Sequence, residues 1–158
     1  MSGTPGTTGR HRTVAAFALA TVSLAGCART VVMTEPSPAA NVAAVCADLM
    51  AALPSLVLDE ERRTVRPGAR SAAWGDPTIT LRCGVDRPPS LNAGSQCIEV
   101  NGIGWFTEEV AAGYLFTTIG RVAYVEVGVP HAYAPEASAL VDLADAVGST
   151  VPERQACL

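Results

Sequence analysis

Between Thr13 and Gly26 the chain carries no charged side chain, and this run, TVAAFALATVSLAG, comes after Arg10, His11 and Arg12 and runs straight into Cys27. As a helix the run reaches about 21 Å, short of the roughly 30 Å hydrocarbon core of a bilayer, so the layout is that of a cleaved export leader rather than a stable membrane span. The chain beyond the leader is then expected to fold where thiols pair. Five cysteines are present, an odd number and an awkward one for an exported protein. Setting Cys27 aside with the leader leaves Cys46, Cys83, Cys97 and Cys157, which can all pair.

Leu24-Ala25-Gly26-Cys27 resembles the lipobox of bacterial lipoproteins, in which the cysteine thiol receives diacylglycerol and the peptide is cut just before it. The resemblance implies a signal peptide over 1–26 and Cys27 as the lipidated N-terminus. It places the protein on the outer face of the cytoplasmic membrane, with membrane lipid as a first partner. Each buried methylene contributes about 0.8 kcal/mol, so two acyl chains anchor stably without a second membrane element. From Ala28 to Ala40 the sequence has no sustained period and carries Pro36 and Pro38. It reads as an extended tether, 27–40, able to hold a single domain, 41–158, up to roughly 40 Å from the lipid.

Spacing argues against a metal site. There is no C-x-x-C, and His131 is the only histidine beyond the leader. No cofactor is expected, and the four cysteines are expected to form two disulfides. All 11 basic residues are arginine. The absence of lysine removes Schiff-base chemistry, the P-loop lysine and Ser-x-x-Lys acylation. Beyond the leader nine arginines face 15 acidic residues, so nucleic-acid binding gains no support.

Asn41 is positioned to cap a helix in which Val42, Val45, Cys46, Leu49, Met50 and Leu53 recur at helical spacing before Pro54 stops it. Thr78 to Cys83 alternates as a half-buried strand. In CIEVNGIGWF the alternation changes phase, and a type I′ turn at Asn101-Gly102 restores it by setting Val100 opposite Ile103 and Ile98 opposite Trp105. A type II′ turn at Gly120 would pair Ile119 with Val122 and leave Tyr114, Phe116, Ala123, Val125 and Val127 on one face. A last helix begins at Pro135, with Leu140, Leu143, Ala144 and Val147 along one side and Gly148 at its end. The expected fold is α+β, an antiparallel sheet of hairpins packed against an N-terminal and a C-terminal helix. Within it, three cysteine connectivities are open. The preferred one joins Cys83 to Cys97 across the intervening loop and Cys46 to Cys157, stapling the tail to the first helix.

AAWGDPTITLRCGVDRPP (72–89), EVNGIGWF (99–106) and AYVEVGVP (123–130), with the upstream helix cysteine, resemble an actinobacterial family of exported proteins known as domain of unknown function 3515. The resemblance covers roughly 40–152. It implies an envelope protein and brings no activity, ligand or catalytic residue.

Trp74, Asp76, Arg82 and Trp105 are the candidate ligand-binding residues, since two aromatic plates, a carboxylate and a guanidinium suit a sugar or a peptide terminus. Arg62, Arg63, Arg66 and Arg70 form a cluster that either contacts anionic headgroups or is balanced by Asp59, Glu60 and Glu61. A Ser-His-Asp site could use only His131, and no G-x-S-x-G elbow occurs. The paired carboxylates of a glycan hydrolase would have to come from Glu99, Glu108, Glu109 and Glu126. The expected function is a non-catalytic envelope lipoprotein acting as a binding or accessory subunit for an envelope protein. The alternatives are a binding protein for a cell-wall fragment or other small polar ligand and, third, a hydrolase.

Overall fold

A computed structural model describes residues 1–3, 6 and 30–156. Cys27, the rest of the leader segment from 7 onward, and Cys157 lie outside the described residues. The chain is α+β. Its elements run β1 (Val31–Val32), α1 (Ala40–Ala52), β2 (Leu56–Val57), β3 (Glu60–Glu61), β4 (Val65–Arg66), β5 (Ser71–Trp74), β6 (Ile79–Cys83), β7 (Ile98–Val100), β8 (Ile103–Val110), β9 (Gly113–Thr118), β10 (Val125–Pro130) and α2 (Ala139–Thr150). Two short 3-10 turns, His131–Tyr133 and Glu136–Ser138, join β10 to α2.

Strands β5 to β10 form one six-stranded antiparallel sheet in the order β5-β6-β10-β9-β8-β7. The two-residue alternation of a strand divides its side chains between two faces. Trp74, Ile79, Leu81, Val125, Val127, Phe116 and Trp105 fall on one face, and they share a buried cluster with Cys46 and Leu49 of α1 and Leu140, Leu143 and Val147 of α2. The Asn101-Gly102 turn has the expected register, Val100 opposite Ile103 and Ile98 opposite Trp105. Both turn residues have positive φ, 48° and 77°, which is what a type I′ turn requires.

The β9–β10 connection differs from the tight turn expected at Gly120. The strands pair as Thr117 with Glu126 and Phe116 with Val127, so residues 119–124 form a longer connection. The register moves by two, which keeps every side chain on its expected face. The reason lies in the C-terminal tail. The N–H groups of Arg154 and Gln155 both donate to the Gly120 carbonyl, and Val122 N–H donates to Pro152. A Cβ on Gly120, whose φ is +70°, would lie 1.8 Å from the Gln155 oxygen.

The helix ends also differ. The N-cap of α1 is Ala39 rather than Asn41 and makes no side-chain cap bond, while α2 starts after Ser138 and runs through Gly148 to Thr150. Gly148 sits on the exposed side of α2, so helical φ and ψ cost it only backbone entropy there.

Cys46 and Cys83 form a disulfide with their Cα atoms 5.5 Å apart. The expected pairing of Cys83 with Cys97 and Cys46 with Cys157 is therefore wrong. The loop after β6 leads to β7 at the far edge of the sheet, because β10, β9 and β8 lie between them. Cys83 instead faces the core beneath α1, on the side of that helix which Cys46 occupies. Cys97 is also disulfide-bonded, to a cysteine outside the described residues.

The segment read as a tether is extended but docked. β1 pairs in parallel with β4, Glu35 accepts from the Arg70 N–H and pairs with its guanidinium, and the Pro36 carbonyl accepts from Arg70 Nε. Pro38 packs so closely on Gly84 that a Cβ there would lie 2.5 Å from its ring.

Closing the 37-residue separation between Cys46 and Cys83 is worth about 4 kcal/mol in the chain-entropy model. Cys46→Ala should lower unfolding stability by roughly 2–5 kcal/mol in a denaturant titration. A non-reduced peptide map should recover Cys46 linked to Cys83 and Cys97 linked to Cys157. A Cys83–Cys97 peptide would contradict this architecture.

Candidate functional site

The four residues Trp74, Asp76, Arg82 and Trp105 do not converge. Trp74 ends β5 and Trp105 sits in β8, four strand spacings away, about 19 Å at the usual 4.8 Å per strand. Both indoles are fully buried on the core face, so neither offers a plate to a ligand. Arg82 lies on the opposite face, its Nε and Nη2 donating to Glu126 Oε1 at 2.9 and 2.6 Å. Asp76 is exposed in the β5–β6 turn.

That turn is a structural knot. Gly75 takes φ +66°, and a Cβ there would strike the Tyr133 hydroxyl and the Glu60 side chain at 2.6 and 2.8 Å. Arg63 donates to the Gly75 carbonyl and to Thr78 Oγ1. Trp74 Nε1 donates to the Pro54 carbonyl and Tyr133 Oη to the Pro77 carbonyl. The Arg62 guanidinium lies 5.9 Å from the Trp74 ring centroid. The arginine cluster is thus dispersed into the fold: Arg62 and Arg63 hold the turn and Arg70 holds the N-terminal segment, while Arg66 is exposed in β4.

His131 is committed as well. Its Nδ1 lies 2.8 Å from Glu136 Oε1, and its ring meets Tyr114 edge-on at 5.6 Å between centroids. Hydrogen bonding to His131 holds the Glu136 carboxyl below its usual value. Among the described residues no group of three His, Cys, Asp or Glu side chains could hold a metal ion.

The open surface of the sheet lies on the face away from the helices. Ser71, Arg82, Glu126, Thr117 and Phe106 stand directly opposite one another in a row across five strands. The hydroxyls of Ser71 and Thr117 are buried without a hydrogen-bond partner among the described residues. Above this row the loop 84–97 separates two clefts of about 550 and 590 Å³, and Arg87 lines both. The first has the Arg82–Glu126 pair, Leu115 and Glu108 in its wall, with Glu35 of the docked N-terminal segment opposite. Glu108 and Glu126 therefore share a cleft, but Glu126 is held by Arg82 and Glu108 accepts from the Ser90 hydroxyl. The second cleft is lined by Arg87, Arg121 and Arg154 together with Leu91, Ile119 and Tyr124. Nothing local in the sequence marks these three arginines, which come from a loop, a strand connection and the tail.

A family model described as "Protein of unknown function (DUF3515)" matches residues 12–156, nearly the whole chain. The chain belongs to the DUF3515 family. No curated protein and no solved structure matches it. In this DUF3515 chain Trp74, Gly75 and Pro77 have packing or backbone roles at the β5–β6 knot, while Asp76 is exposed there.

Two groups titrate with opposite signs. Burial first, then the carboxylates of Glu60 and Asp76, raise the Tyr133 phenol above 10.0. The folded state thus favours the neutral phenol, and this contribution is complete below the unfolded value and is lost as pH rises through the folded one. Wild type should lose more stability above pH about 10 than Tyr133→Phe does, as measured by denaturant unfolding across that range. Glu136 has the opposite sign, its contribution being lost as pH falls. His131→Ala should move its carboxyl titration, followed by NMR, up toward 4.5; an unchanged titration would show that His131 is not what lowers it.

Proposed function

We propose that this DUF3515 protein is an exported lipoprotein, anchored through Cys27 to the outer face of the cytoplasmic membrane, where it acts as a non-catalytic binding or accessory subunit for an envelope partner. The leader pattern and the lipobox-like Leu24-Ala25-Gly26-Cys27 support export and lipidation, and the core disulfide suits an oxidising compartment.

The observation that carries the reading furthest is the docking of the N-terminal segment. Because Val31 is already paired with Val65, only residues 28–30 separate the anchor from the fold. Fully extended, four residue steps reach about 14 Å, far less than a free tether through Ala40 would allow. An anchored domain would then be held at the headgroups, with exposed Val32 and Arg66 beside the point of attachment. A subunit pinned in this way works on what the membrane surface presents.

Intact mass and detergent phase partitioning of the protein from its host test the anchor, with Cys27→Ala alongside. The native form should carry a diacylglyceryl mass and enter the detergent phase, and the variant should do neither. A native form of unmodified mass that stays in the aqueous phase would overturn the lipoprotein reading. The accessory role is tested separately by cross-linking in intact membranes, which should recover the same partner repeatedly from wild type and lose it with Cys27→Ala.

A further inference from the structure

The second cleft is a concentration of positive charge in an otherwise acidic protein. Arg87, Arg121 and Arg154 line it with Asn92, Ser95 and Tyr124, and no carboxylate does so among the described residues, although the whole chain carries a net charge of −4. Bringing three guanidinium groups around one opening costs Coulomb repulsion, and a concave wall of one sign concentrates counter-ions within it. Among the described residues, one of the three side chains is engaged by the fold. Arg121 donates from Nη1 to the Val151 carbonyl at 2.6 Å and from Nη2 to Gly102 at 3.4 Å, which fixes its guanidinium between the end of α2 and the β7–β8 turn. Arg87 and Arg154 are exposed, and neither side chain makes an ion pair or hydrogen bond among the described residues.

The cleft is also built rather than incidental. Its two walls are the loop ending at Cys97 and the tail carrying Arg154 and Gln155. The first is tied by the Cys97 disulfide, the second by two N–H bonds to Gly120 and by the Arg121–Glu153 bridge. Leu91, Ile119 and Tyr124 add an apolar and aromatic side. Guanidinium is the group that matches phosphate oxygens in bidentate geometry, and a hydroxyl and an amide beside it supply neutral donors.

From these features we infer that the cleft between the loop 84–97 and the C-terminal tail is a binding site for a phosphate ester. Arg121 is the fixed contact, Arg87 and Arg154 close on the phosphate from either wall, and the organic part of the ligand lies against Leu91, Ile119 and Tyr124. The site takes its ligand whether or not Cys27 is lipidated, so it stands apart from the anchor. Two sources share this chemistry on a membrane surface: a soluble phosphate compound and a phospholipid headgroup.

The test uses the full chain, oxidised, in neutral detergent and phosphate-free buffer at one physiological ionic strength. The probes are phenyl phosphate, a soluble phosphate ester, and short-chain dihexanoyl phosphatidylglycerol, with binding followed by calorimetry and by the amide resonances of residues 91–95 and 119–124. Saturable binding is expected, weakened about tenfold by Arg87→Ala and again by Arg154→Ala. Both arginines are exposed, so thermal unfolding should be unchanged. Arg66→Ala, an exposed arginine outside the cleft, removes the same charge and should leave affinity intact. Binding of phenyl phosphate supports a soluble ligand, and binding of the lipid alone supports a headgroup. The inference is overturned if neither probe saturates the cleft resonances, or if Arg66→Ala weakens binding as much as the cleft variants do.

Discussion

The Cys46–Cys83 bond ties the first helix to the middle of the fold, and much of the molecule is arranged around it. Both sulfurs are buried in the core cluster, so the bond acts as a packing element as well as a crosslink. Immediately after Cys83 the chain must turn without a side chain, because Pro38 occupies the space a Cβ at Gly84 would need. One residue pair thus fixes α1 against the sheet, and its neighbour seats the segment that leads into α1. Arg70 completes the attachment by binding Glu35 and the Pro36 carbonyl. Covalent, steric and ionic contacts act on the same short stretch of chain.

The sheet shows the same division of labour. Its helix-side face is almost wholly apolar and joins the single core. The other face carries a polar row with an ion pair at its centre and is covered only in part, by the N-terminal segment and the loop 84–97. That partial cover creates the two clefts. Strand alternation alone places Arg82 and Glu126 on this face, since their neighbours Leu81, Cys83, Val125 and Val127 are in the core.

What the sequence disclosed and what it concealed are both set by contact range. The Asn101-Gly102 hairpin was readable because turn chemistry and alternation both act within ten residues. The helix faces were readable for the same reason, through a period of 3.6. The insertion of β10 between β6 and β9 was not, because no local pattern records which distant strand a neighbour will be. The cysteine pairing failed with it: a loop joining β6 to β7 brings Cys83 near Cys97 only if those strands are adjacent. The Trp74 and Trp105 site failed on burial, since a tryptophan in an alternating strand has the same spacing in a core as at a binding surface. The three cleft arginines lie more than 30 residues apart in sequence and meet only through the tail's pairing with Gly120.

The two borders of the six-stranded sheet restrict how it can meet another protein. Along β5, the backbone is already engaged by the chain itself: Arg63 N–H donates to the Ala73 carbonyl, Gly75 N–H donates to Glu61, and Arg62 bridges to Trp74. At the other border β7 is only three residues long and exposes Glu99, a short, charged margin of the kind that discourages edge-to-edge pairing. An extended peptide therefore finds the β5 ladder occupied and, along β7, an edge only three residues long. Contacts with other molecules are thereby left to side chains and concave surfaces, and neighbouring copies of the chain gain little by pairing through their strands.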